Sequence, residues 1–182
     1  MKEIRIHARA GQGAITTAAL LGQVYFLRGM YLYVFPHFGA ARMGAPMNAF
    51  VRVDSEPVRL RSQIYKPDYV IIVDATLLRG FNCFSGLKEN GIAIVNKREG
   101  VEIPKVKARQ KVFLIPANDI ALETIGRPLG NTALLGAYAA ATGEIDLDNL
   151  IEALRKRFSG KMQEANIQAV KQGYEYIKKV NS

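Results

Sequence analysis

Residues 4–27, Ile4-Arg5-Ile6-His7-Ala8-Arg9-Ala10-Gly11-Gln12-Gly13-Ala14-Ile15-Thr16-Thr17-Ala18-Ala19-Leu20-Leu21-Gly22-Gln23-Val24-Tyr25-Phe26-Leu27, read as strand, glycine turn and helix. Ile4 to His7 alternates apolar and polar residues, the period of a strand. Ile15, Ala18, Ala19, Val24 and Phe26 or Leu27 then spread over one broad helical face, and Gly29 supplies the C-terminal stop. Glycines at 11 and 13 let a backbone approach a ligand closely, and the helix start offers unpaired N–H groups and a positive dipole end to an anion. Gly11, Gln12, Gly13 and Ala14 are therefore candidate ligand contacts, with Thr16 and Thr17 as hydroxyl donors. A tight turn without a ligand uses the same residues, and a lone glycine pair does not choose between the two.

Two nucleotide motifs fail here. Thr16 stands where the dinucleotide fingerprint needs its third small residue, and Phe35-Pro36-His37 ends the next strand where a ribose-binding acid belongs. No Gly-Lys-Ser/Thr follows the turn, so it is not a P-loop.

Outward from this unit, Tyr31 to Phe35 is a second strand, Pro36 to Pro46 a turn-rich loop, and Met47 to Val53 alternates as a third. Val58 to Leu60 reads as a returning hairpin strand. Tyr69-Val70-Ile71-Ile72-Val73 is continuously apolar, as suits a parallel strand buried on both faces. A short helix is expected near 77–90, strands at Ile92–Val95 and Val112–Ile115, and a helix over 117–125. Asn131 is placed as the cap of a helix from Thr132 to Thr142. Leu147, Leu150, Ile151, Leu154 and Phe158, then Ile167, Val170, Tyr174 and Ile177, form two amphipathic stripes. With no repeat or linker, residues 1–182 make a single α/β domain. The expected fold is a three-layer α/β/α sandwich with a mostly parallel, mixed sheet and a helical C-terminal part. Loops after strands converge at the carboxyl edge of such a sheet, which makes Arg42 a candidate charged contact.

No apolar run approaches the ~20 residues that span a bilayer, and no apolar leader opens the chain, so a cytoplasmic location without membrane attachment is expected. One cysteine, Cys83, excludes an internal disulfide or a self-contained iron–sulfur cluster; a buried, inert thiol is expected. His7 is expected to be structural, and His37 is assigned no chemistry. Asp74 is expected to cap the turn after its strand. No catalytic constellation and no metal-ligand set is apparent. Lys and Arg number 25 against 16 Asp and Glu, a formal charge of +9 that suggests an anionic partner. Between Ile4 and Val53 there is no acid, but Arg5, Arg9, Arg28, Arg42 and Arg52 are present. The basic stretch Lys97–Lys111 reads as a solvated loop or hairpin. No nucleic-acid-binding motif accompanies the charge, so no nucleic-acid partner is expected.

Four segments in order carry a resemblance. They are Arg9-Ala10-Gly11-Gln12-Gly13; Phe38-Gly39-Ala40-Ala41-Arg42-Met43-Gly44-Ala45-Pro46; Ile64-Tyr65-Lys66-Pro67-Asp68-Tyr69-Val70-Ile71-Ile72-Val73-Asp74-Ala75-Thr76-Leu77-Leu78; and Gly130-Asn131-Thr132-Ala133-Leu134-Leu135-Gly136-Ala137. Together they resemble the gamma subunit of the 2-oxoacid:ferredoxin oxidoreductases, best matched by the pyruvate type. Ala41 and Ala75 depart from it, standing where the family often has an acid and commonly a proline. The resemblance implies oxidative decarboxylation of a 2-oxoacid with coenzyme A to acyl-CoA, carbon dioxide and reduced ferredoxin. It implies that thiamine diphosphate, Mg and [4Fe-4S] clusters sit in alpha-, beta- and delta-type partner subunits. This chain would bind no such cofactor alone, pack on the catalytic subunits, and help hold coenzyme A as co-substrate. Asn131, following Gly130, joins the candidate ligand contacts. Pyruvate is the expected substrate, with 2-oxoglutarate, 2-oxoisovalerate or indolepyruvate types, or a free-standing module for a phosphorylated ligand, as alternatives.

Overall fold

The computed structural model describes residues 1–39 and 42–180, so the Ala41 departure lies outside the described residues. The elements are β1 (Lys2–Arg9), α1 (Ala14–Leu27), β2 (Tyr31–Phe38), β3 (Pro46–Asp54), β4 (Tyr69–Ile72), β5 (Ile92–Asn96), β6 (Lys111–Ile115), α2 (Ala117–Ile125), α3 (Asn131–Thr142), α4 (Leu147–Arg157) and α5 (Gly160–Val180). Six strands form one sheet in the order β2-β3-β1-β4-β5-β6. β1, β4, β5 and β6 are parallel, and β3 is antiparallel to both β1 and β2. The sheet is mixed, as expected. Because β3 reverses direction between them, β1 and β2 point the same way, and their following loops emerge at one edge.

Strand alternation sorts side chains onto two faces. Ile4, Ile6 and Ala8 of β1, with Ala49, Val51, Ile71 and Ile94, share one core with residues of all five helices. Val70, Ile72, Ala93 and Val95 face the other way, against Ala75, Leu77, Cys83 and Leu87. β4 is thus buried on both faces, which explains its unbroken apolar sequence.

The second face is covered by loops and one 3-10 turn, Ala75–Arg79, where a helix over 77–90 was expected. Gly80 and Gly86 interrupt that stretch, and Gly86 has a left-handed φ of 73° that a helix does not accommodate. Val58–Leu60 is likewise not a strand. Buried Arg52, 2% exposed, donates instead to the carbonyls of Ser62 at 2.6 Å and Gln63 at 3.1 Å, and pairs with Glu3 at 2.9 Å. Arg5, 7% exposed, donates to the carbonyls of Ile64, Cys83 and Ser85. Two arginines on the sheet therefore satisfy loop carbonyls that a ladder would otherwise satisfy.

Candidate functional site: the glycine turn and its two flanking cavities

The turn after β1 is built as its residues require. Gly11 and Gly13 have φ of 98° and 82°, left-handed values that side chains with a Cβ rarely adopt. The first intrahelical bond of α1 runs from Thr17 N–H to the Gly13 carbonyl at 2.8 Å. The N–H groups of Gly13, Ala14, Ile15 and Thr16 precede it and have no intrahelical acceptor. No side chain caps this end.

Gln12 fixes the turn. Its Oε1 accepts from the Arg9 amide at 2.8 Å, and its Nε2 donates to Asp74 Oδ2 at 2.8 Å. Asp74, 6% exposed at the end of the β4 segment, also accepts from the Thr76 amide at 2.9 Å and the Thr76 hydroxyl at 2.7 Å. Arg9 Nε lies 3.3 Å from the same carboxylate. Burial pushes the Asp74 carboxyl up, but hydrogen bonds from Gln12 and Thr76 and the Arg9 charge outweigh it, so the group sits below the usual carboxylate range. The expected capping role of Asp74 is observed.

A crevice of about 280 Å³ opens beside Gln12 at the carboxyl ends of β4 and β5 and the start of α2. Asn96 and Asn118 form its floor: Asn96 Nδ2 donates to Asn118 Oδ1 at 2.9 Å, and Asn118 Oδ1 accepts from the Gly130 amide at 3.2 Å. Exposed Lys97, Arg98, Glu99 and Asp119 also line it. Asn131 begins α3 as its first residue, with Gly130 before it and no side-chain cap, so the expected capping role of Asn131 is not made. Its carboxamide nitrogen instead lies 3.0 Å from where a Cβ on Gly13 would stand. Helix α3 thus closes on the glycine turn.

The sequence candidates divide. Gln12 lines the crevice, Asn131 packs over Gly13, and Thr16 is half-exposed. Thr17 is removed from the ligand set: it is fully buried, and its hydroxyl donates back to the Gly13 carbonyl at 2.9 Å. Ala14 is buried and can offer only its amide. Arg42 faces a second cavity, of about 480 Å³, together with Arg5, His7, His37 and Asn48. Two hydrogen bonds stitch its loop to the glycine turn: Ala10 N–H to the Ala45 carbonyl at 2.9 Å, and Gly44 N–H to the Ala10 carbonyl at 3.1 Å.

Sequence reasoning missed Asn96, Lys97, Arg98 and Asn118. Lys97 and Arg98 belong to the stretch read as a solvated loop or hairpin, yet they follow directly on β5, at the edge where ligands of α/β sheets bind. The remaining early arginines are engaged: Arg52 with Glu3, Arg9 with Asp74, Arg5 with carbonyls, and Arg28 with the Glu144 carbonyl. Cys83 is buried, as expected, and burial pushes its thiol up to about 11.

Fold and turn together define an α/β domain with a backbone-lined glycine cradle at its carboxyl edge. Residues 3–176 match the family described as pyruvate ferredoxin/flavodoxin oxidoreductase, and the chain belongs to that family as a gamma-type subunit. It is 44% identical to the pyruvate/ketoisovalerate oxidoreductases common subunit gamma of Pyrococcus furiosus, over 96% of each chain. It is similar to the crystal structure of pyruvate oxidoreductase subunit PORC from Thermotoga maritima, with TM-score 0.83, 36% identity, and 96% and 95% of the two chains covered. The 2-oxoglutarate:ferredoxin oxidoreductase of Magnetococcus marinus, solved with 2-oxoglutarate, coenzyme A and succinyl-CoA bound, shares the fold. There the TM-score is 0.81 at 19% identity, over 98% of this chain and 31% of that one.

Proposed function

We propose that this chain serves a pyruvate:ferredoxin oxidoreductase by holding coenzyme A while partner subunits carry out the redox step. The observation that carries the reading is the glycine turn. Gly11 and Gly13 expose backbone at the head of α1, and the Gln12–Asp74–Arg9 bonds hold it in one conformation before any ligand arrives. Free N–H groups at a helix start suit the phosphates of coenzyme A. Lys97 and Arg98, in the lining of the adjacent crevice with Asp74, Glu99 and Asp119, would meet further negative charge. Gly11, Gln12, Gly13, Ala14 and Thr16 would line the phosphates, Asn131 would hold the turn from α3, and Arg42 would flank it from the second loop.

In this reading, alpha-, beta- and delta-type partners carry thiamine diphosphate, Mg and the [4Fe-4S] clusters, and ferredoxin is reached through the complex. The family description and the pyruvate oxidoreductase neighbour favour pyruvate as the 2-oxoacid. No helix among the described residues is long and apolar enough to cross a membrane, which accords with a cytoplasmic complex. The test is reconstitution. Partner subunits should reduce ferredoxin with pyruvate and coenzyme A only when this chain is added. Full coenzyme A-dependent turnover without it would refute the reading.

A further inference from the structure

The second cavity lies on the sheet face away from the helices, between β1–β3 and the segments 63–65 and 81–83. Its volume, about 480 Å³, is that of a small-molecule pocket. Phe50 and Leu77 give it apolar walls, and none of its lining residues is an acid. Behind these walls sits Arg5, a buried guanidinium whose partners are three carbonyls and the His7 ring. Its donors are satisfied, but among the described residues no carboxylate balances its charge. Arg52, on the neighbouring strand and equally buried, has Glu3. His7 cannot compensate: burial and the Arg5 charge hold its pKa down to about 3, so the ring is neutral. Arg42, exposed at the mouth, has no side-chain partner among the described residues. A buried cation is normally paired. This one faces a cavity with a second unpaired cation at its entrance.

We infer that this cavity is a binding site for a small organic anion, a carboxylate on an apolar body, whose charge completes Arg5 and Arg42. The site is distinct from the crevice beside Gln12; it shares Arg42 with the coenzyme A reading but rests on no other residue of that reading. The carboxylate would lie between Arg42 and the Asn48 side of the cavity, with its apolar part against Phe50 and Leu77.

The test uses the full chain and 3-(4-fluorophenyl)propionate, followed by fluorine NMR. Saturable binding below about 1 mM is expected, with none for the matching neutral amide. Arg42→Gln should weaken binding about tenfold, the loss of one charge-assisted contact. Asn48→Asp places a fixed negative charge in the cavity lining, opposite His7 on the neighbouring strand, so it should abolish probe binding by repulsion, while a thermal midpoint close to the parent's shows that the variant folds. The inference is overturned if the amide binds as well as the acid, if Arg42→Gln binds unchanged, or if a folded Asn48→Asp variant binds the probe as tightly as the parent chain.

Discussion

The carboxamide of Gln12 donates to the Asp74 carboxylate over 2.8 Å, tying the loop after β1 to the end of the β4 segment. A flexible glycine turn thereby becomes a fixed one. Asp74 also receives Thr76 and faces Arg9, so one carboxylate organises three neighbours. Asp74→Ala strands the Gln12, Thr76 and Arg9 donors at a largely buried point. It should cost about 2–3 kcal/mol in urea unfolding.

The acid limb of stability carries the same signature. The folded Asp74 carboxyl lies below its unfolded value, so its contribution is present above the unfolded pKa and is lost as pH falls through the folded one. Asp74→Asn should flatten stability below about pH 4 relative to the parent chain. Equal acid limbs for the two proteins would contradict the clamp.

His7 works in a higher window. Arg5 Nε donates to His7 Nε2 at 3.0 Å, which requires that nitrogen to be unprotonated. With the folded pKa at about 3 against an ordinary 6.5, the unfolded chain binds the proton first. Stability is then complete above the unfolded pKa and declines as pH falls from there toward 3, by up to about 1.4 kcal/mol per pH unit. His7→Gln should remove that slope. Proton NMR should show no His7 titration between about pH 5 and 8.

Arg52 fastens the segment after β3. Arg52→Met leaves Glu3 and the carbonyls of Ser62 and Gln63 without their donor. The expected loss is about 3 kcal/mol, a drop of roughly 6–12 °C in Tm for a chain of this size. Hydrogen exchange should quicken first in residues 58–66.

Ile4–Leu27 and Tyr69–Val73 were readable because periodicity and an unbroken apolar run report burial directly, and both elements stand where the sequence placed them. Arg5 and Arg52 were not readable as fasteners. Their acceptors are mostly backbone carbonyls, which every residue carries, so no residue type marks the partner. The acid-free stretch from Ile4 to Val53 suggested an anionic partner, yet four of its five arginines are engaged inside the molecule. At the site, Gly11 to Gly13 announced their turn. Lys97 and Arg98 did not, because only the strand order, with β4 between β1 and β5, brings them beside a glutamine about 85 positions earlier. Asn131 carried a capping residue type at a helix start. The helix takes it in as its first residue, and the side chain packs over Gly13 instead.

The glycine turn is tested most directly by steady-state kinetics of the reconstituted complex carrying Gly13→Ala. A Cβ there meets a left-handed φ of 82° and the Asn131 carboxamide at 3.0 Å, so the turn must shift. The KM for coenzyme A should rise about tenfold or more, while the KM for pyruvate and the cluster content stay as in the parent complex. An unchanged KM for coenzyme A in a fully assembled complex would contradict the account.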